Sequence, residues 1–169
     1  MSSQKNIFIV ARNLLLQSVD QTVFLPANIK QGFLPPSGGN FISYVALPAK
    51  KTSVQGYNKY DSDNNLATNH ILFNNPIQVD FYSDFEYSAS DGARSFHQYL
   101  TAFAPEYLSA NYIDNSLGII DDIVNNTDLG DKAKYLYRYT VRYELFSHET
   151  LTIAQQFIDE VQPIPTIIL

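Results

Sequence analysis

The chain has 169 residues, 45% of them hydrophobic, no cysteine, and a formal net charge of −6. That length and hydrophobic share predict a single domain over 1–169 with its own core, and argue against a wholly disordered chain. The lack of cysteine excludes disulfides, thiolate metal sites and cysteine nucleophiles, and 11 Lys plus Arg against 17 Asp plus Glu supply no basic patch of the kind that displaces counterions from phosphates.

The aromatic set of 12 Tyr and 11 Phe without Trp suits half-buried strands and contact surfaces. The apolar run Ile7 to Ala11 is cut by Arg12 and lacks the small-residue cleavage site of a secretory signal. No stretch approaches the ~20 apolar residues of a membrane span. The expectation is a protein without a membrane partner, used in a cytoplasm or in a particle assembled there.

In chain order, Ile7, Val10, Leu14, Ala11 and Leu15 recur at helical spacing and predict an amphipathic helix from Ser3 to Val19. Pro26, Gly32, Pro35-Pro36 and Gly38-Gly39 then mark a surface loop. Phe41 to Leu47 is a strand candidate that Pro48 terminates, and Ser53 to Tyr60 is a second run leading into the polar loop Asp61 to Asn65. Ile77, Val79 and Phe81 alternate with Gln78, Asp80 and Tyr82, a strand signature. His70 to Phe73 are candidates to extend that strand, although Pro76 argues for a break or an edge position.

A second helix is expected to start near Ser88 or Ser90, with Ala89, Ala93, Phe96, Leu100 and Phe103 as its apolar stripe and Pro105 as its limit. Tyr107 to Leu117 fits no element clearly, and Leu117 to Val124 is a short strand candidate. Tyr135 to Phe146 alternates throughout and reads as a long strand. His148-Glu149-Thr150 then reads as a turn before a further strand from Leu151 to Val161. Helix, strands, helix, strands predicts an α+β fold, a mixed and mostly antiparallel sheet with two main helices packed on one face.

No constellation carries chemistry. His70, His97 and His148 stand at no metal-ligand spacing, and HExxH, GxGxxG, Walker A and GxSxG motifs are all missing. Asp121-Asp122, Asp128 and Asp131 form an acidic stretch without EF-hand order, better read as a solvated loop than as a cation site. No catalytic residue, metal or cofactor is expected, and the chain reads as a non-enzyme.

Several segments, in their order and spacing, carry a resemblance. Pro76 to Tyr82, with Gln78, Asp80 and Tyr82 in a Gln-x-Asp-x-Tyr strand, resembles the strand-to-helix passage of phage neck and tail terminator proteins. Ala102-Phe103 and Glu106-Tyr107 stand where that family has a Phe-rich patch and a short Glu-Tyr segment. Tyr135 to Phe146 is similar to its long aromatic strand, and Leu151 to Asp159 to its strand ending in Gln-Gln-Phe-x-Asp. The likeness covers Ile77 to Val161. Ser83 and Ala154 depart from it, standing where Gly and Pro are usual.

The resemblance implies a homo-oligomeric ring, a hexamer, seated on the last tail-tube ring at the head–tail junction of a virion assembled in the host cytoplasm. Its partners are then a tail-tube protein and a head-connector or head-completion protein, with genomic DNA only passing through the lumen. A ring built from head-to-tail contacts needs two different patches on each subunit. Candidate contact residues are Tyr57, just ahead of the Asn58 to Asn69 loop, and Tyr60 within it, Tyr137, Tyr139 and Tyr143 on the long strand, and Ile167 and Leu169 in the apolar tail. Another head-completion or tube protein is the first alternative, and a small ligand-binding domain or enzyme the second.

Overall fold

The computed structural model describes residues 3–32, 39–48, 50–51, 58–61, 66–127 and 136–154. Among these, the helices are α1 (Ser3–Ser18), α2 (Glu86–Ala102) and α3 (Ala104–Asn111). The strands are β1 (Ile29–Gln31), β2 (Phe41–Ala46), β3 (Lys50–Lys51), β4 (Asn58–Asp61), β5 (Leu66–Ser83), β6 (Asn115–Ile120), β7 (Val124–Asn125) and β8 (Tyr137–Ala154). They form one sheet with the order β1-β2-β5-β8-β6, to which β3 and β4 add along β5 and β7 along β8. β1 pairs with β2 in parallel and the other pairings are antiparallel. The α+β class with a mixed, mostly antiparallel sheet is what the pattern of elements predicted.

The period of the apolar residues explains which face of each element is covered. On α1, Ile7, Val10, Ala11, Leu14 and Leu15 are buried, one stripe at helical spacing. On α2 the stripe is Ala89, Gly92, Ala93, Phe96 and Leu100. The sheet answers with Ile42 and Tyr44 on β2, Ile77, Val79 and Phe81 on β5, and Val141, Tyr143 and Leu145 on β8. All of these belong to one cluster with the helices, so the helices share one face of the sheet. Each large apolar side chain enclosed this way contributes about 1.5–3 kcal/mol relative to exposure.

Several boundaries differ from the sequence reading, each for a physical reason. α2 begins at Glu86, not at Ser88 or Ser90; Ser90 Oγ instead donates to the Tyr87 carbonyl inside the first turn, and Ser83 Oγ accepts from the Phe85 amide ahead of the helix. Phe103 is not on the buried stripe: it is exposed at the joint between α2 and α3. α2 ends at Ala102, ahead of the expected limit at Pro105, and Pro105 also opens α3, a position where its missing N–H has no helical partner to lose. β1 sits inside the stretch read as a loop, and Asn58 to Asn69 includes a strand ladder, with Asn58 opposite Asn69 and Asp61 opposite Leu66.

The largest difference is in the two long strands. β5 runs unbroken through Pro76, and β8 runs through His148-Glu149-Thr150 with no turn there. The Pro76 carbonyl accepts from the Leu47 amide, which directs its backbone polar groups toward the β2 side. β2 has already ended at Ala46 and β3 starts at Lys50, so the donor that Pro76 lacks falls in the gap between two partners. That is how a proline persists in the middle of a sheet.

Candidate interaction surface

β5 and β8 pair without a register shift from Ser83 opposite Tyr137 to Leu66 opposite Ala154. Eighteen residues per strand at ~3.3 Å each give a ladder of about 59 Å. Among the side chains described, the core cluster draws on Ile77 to Phe81 of β5 and Val141 to Leu145 of β8. Beyond Ser147 the described residues continue as a three-stranded arm, β4-β5-β8, flanked by β3 near its base.

A belt of buried polar groups marks where core becomes arm. Asn75 Nδ2 donates to the Leu145 carbonyl and to Ser147 Oγ, both at 3.1 Å. Asn115 Nδ2 donates to the Phe146 carbonyl at 3.3 Å. Asn74 and Ser147 are buried beside them. These side-chain bonds to strand carbonyls tie β5 and β6 to β8 at the level where the arm leaves the core.

The face away from the helices is polar and largely closed. Asp80, 1% exposed, accepts from Arg138 Nη2 at 3.0 Å, from Gln78 Nε2 at 3.0 Å and from Thr140 Oγ1 at 2.5 Å. Arg142 Nε donates to Gln78 Oε1 at 3.0 Å, and Asn126 Nδ2 to Thr140 Oγ1 at 2.7 Å. The Arg138 guanidinium also lies 5.7 Å from the Tyr82 ring centre, and Tyr82 stacks on Phe41 at 4.9 Å. Asp80 raises the Arg138 pKa through a hydrogen bond and its charge, against desolvation, the largest influence. The buried Asp80 carboxylate is paired with Arg138 and bonded by Thr140, which ties β5 to β8 in register.

The candidate contact tyrosines separate when placed. Tyr143 is a correction: 2% exposed and in the core cluster, it cannot line a surface. Its face of β8 is the one the helices cover. Burial pushes its phenol pKa far up. Tyr139 packs partly against the same cluster but keeps its hydroxyl at the surface, donating to Glu86 Oε1 at 3.0 Å and accepting from Asn125 Nδ2 at 3.2 Å. Partial burial and then Glu86 raise its pKa. Phe85 and Tyr87, beside Glu86, and Val124, beside Asn125, stand exposed around that link. Tyr137, half-buried, opens β8 opposite Ser83. Tyr60 lies on β4 opposite Ala67. Tyr57, Ile167 and Leu169 fall outside the described residues.

The remaining titratable groups do not converge. His97 is half-buried on α2, His148 is exposed on β8, and Asp121 and Asp122 are exposed, with Asp128 and Asp131 outside the described residues. Among the described residues no group of acidic or histidine side chains could hold a metal ion, and no helix is long and apolar enough to cross a membrane. No family model matches the chain, and no curated protein matches it.

Proposed function

We propose that this chain is a structural, non-enzymatic subunit of a tailed-phage virion. In this reading copies form a ring, a hexamer by the pattern of the family it resembles, that closes the tail tube at its head-facing end. The tube's last ring lies on one side and the head-connector or head-completion protein on the other, at the head–tail junction. The observation that carries the reading is the β5–β8 ladder, which extends well past the helix-covered core. Paired strands of eighteen residues are long for a domain of this size, and a long ladder edge asks for a partner.

Two further features support it. The net charge of −6 suits a conduit through which DNA passes without adhering, since nothing in the composition favours phosphate binding. The Gln78, Asp80 and Tyr82 side chains of the resembling strand sit in the closed polar face with Arg138 and Thr140, which gives that motif a register-setting role. Electron microscopy of the purified protein tests the reading against its neighbour. Discrete rings support a terminator, whereas long tubes assign the chain to a self-polymerising tube protein.

A further inference from the structure

We propose that copies of this chain join edge to edge, the β4 strand of one copy pairing with the distal edge of β8 on the next. This rests on the ring reading and names the interface that builds the ring.

In a strand, each residue points its N–H and C=O to the same side, alternating along the chain. On β8, the His148 amide donates to the Asp114 carbonyl, the Arg142 carbonyl accepts from Asp121, and the Arg138 carbonyl accepts from Asn126. Even-numbered residues of β8 therefore face away from β5. The β5–β8 register is unbroken, so Thr150, Thr152 and Ala154 direct their backbone groups outward too. Among the described residues no strand pairs with β8 on that side past Ser147.

The same parity argument applies to the other side of the arm. The Pro76 carbonyl faces the β2 side, so the even-numbered residues of β5 point away from β8, and Thr68 faces β4. Lys59 stands opposite Thr68 and turns its backbone inward, which leaves Asn58 and Tyr60 directed outward. Among the described residues no strand pairs with β4 on that side.

The arm thus ends in two different edges on opposite sides, each carrying backbone donors and acceptors that need partners when dehydrated. An unrelated peptide on one edge leaves the other open. A second copy pairs one edge of each, because every copy carries one β4 edge and one β8 edge, and a closed ring of copies leaves neither edge open. β4 and β8 are each antiparallel to β5, so they run in the same direction. A neighbour rotated about an axis along the arm therefore presents β4 to β8 as a parallel junction, and repeated rotation closes a ring.

The parity also selects the variants. Proline is tolerated on an edge strand where its missing N–H faces outward. Thr152→Pro and Tyr60→Pro should each leave the secondary-structure signal and melting temperature of the wild-type fold while raising the concentration for half-assembly about tenfold or more. Ile153→Pro is the control. Its amide faces β5 opposite Ala67, so it should disturb the arm itself.

Native mass spectrometry across a dilution series, with amide exchange on the wild-type chain, reads the outcome without depending on any variant's folding. The expected result is protection of the Thr152 and Tyr60 amides that appears only in the assembled species, together with loss of assembly in both outward proline variants. Rings that persist unchanged in Thr152→Pro and Tyr60→Pro overturn the edge pairing and leave the ring reading standing. Thr152 protected equally in the monomer places this chain's own segment on that edge and overturns it. A wild-type chain that stays monomeric with Thr152 unprotected also overturns it, and the ring reading is then judged separately on intact virions.

Discussion

Tyr143 of β8 stands edge-on to Phe96 of α2, ring centres 5.7 Å apart and planes inclined at 73°. Phe96 in turn lies 5.8 Å from Phe81, which meets Phe24 edge-on at 5.8 Å. This aromatic file ties α2 to the middle of the sheet, and Tyr143 contributes its ring to it, whereas its hydroxyl finds no hydrogen-bond partner among the described residues.

Removing that hydroxyl should stabilise the protein. A buried polar group without a partner costs about 1–3 kcal/mol, so Tyr143→Phe is expected to raise the melting temperature, by about 2–4 °C for each kcal/mol recovered. Tyr143→Asp buries a charge among rings and should abolish folding, not assembly alone. Thermal melts followed by circular dichroism distinguish the two; an unchanged melt for Tyr143→Asp would contradict its core position.

Gly92 lies where α2 packs on the Phe24 and Phe81 rings. A Cβ there would lie 2.6 Å from the Phe24 ring and 3.1 Å from Phe81. Alanine gains about 1 kcal/mol of helix propensity over glycine, but overpacking a dense core costs about 1–3 kcal/mol. Phe24 is itself buried and wedged against Phe81, so it yields poorly and the clash wins. Gly92→Ala should lower the urea midpoint, and Phe24→Leu in the same chain should recover part of the loss.

Asp80 gathers three donors from neighbouring side chains. Asp80→Ala strands Thr140, Gln78 and Arg138 together. Arg138 keeps about a third of its side chain in solvent and can rehydrate, so the cost should fall below the full penalty for a broken buried pair, at about 2–3 kcal/mol. Denaturant unfolding measures it, and a loss under 0.5 kcal/mol, roughly the size of an ordinary surface substitution, would show that the polar face does not hold register.

Alkaline stability follows from the tyrosines. Burial raises the phenol pKa of Tyr44 and Tyr143, and of Tyr82 with Asp80 adding to it. A group whose folded pKa lies above its unfolded value keeps its full contribution below the unfolded value, about 10 for tyrosine, and loses it as the pH rises beyond. Stability should therefore decline above pH of about 10, with part of the tyrosinate absorbance appearing only on unfolding. Complete ionisation of every tyrosine in a chain that remains folded would contradict these burials.

Much of the fold was legible because apolar period reports directly on burial. α1 was expected over Ser3 to Val19 and spans Ser3–Ser18, and β2 was expected over Phe41 to Leu47 and spans Phe41–Ala46. Alternation along β8 separated its two faces but could not say which face the helices cover, so Tyr143 read as surface. Pro76 read as a break because its cost depends on where the neighbouring strands end, a fact held in β2 and β3. The turn at His148-Glu149-Thr150 failed for a related reason: past the core, pairing with β5 sustains the strand, and side-chain period no longer reports on it.

Cross-linking mass spectrometry on intact virions that contain this chain reads its neighbours in the particle. A ring at the head–tail junction gives links from this protein to both a tail-tube subunit and a head-connector subunit, together with links between its own copies across the arm. Links confined to the tube or baseplate, or absence of the chain from purified virions, would contradict a ring at the head–tail junction.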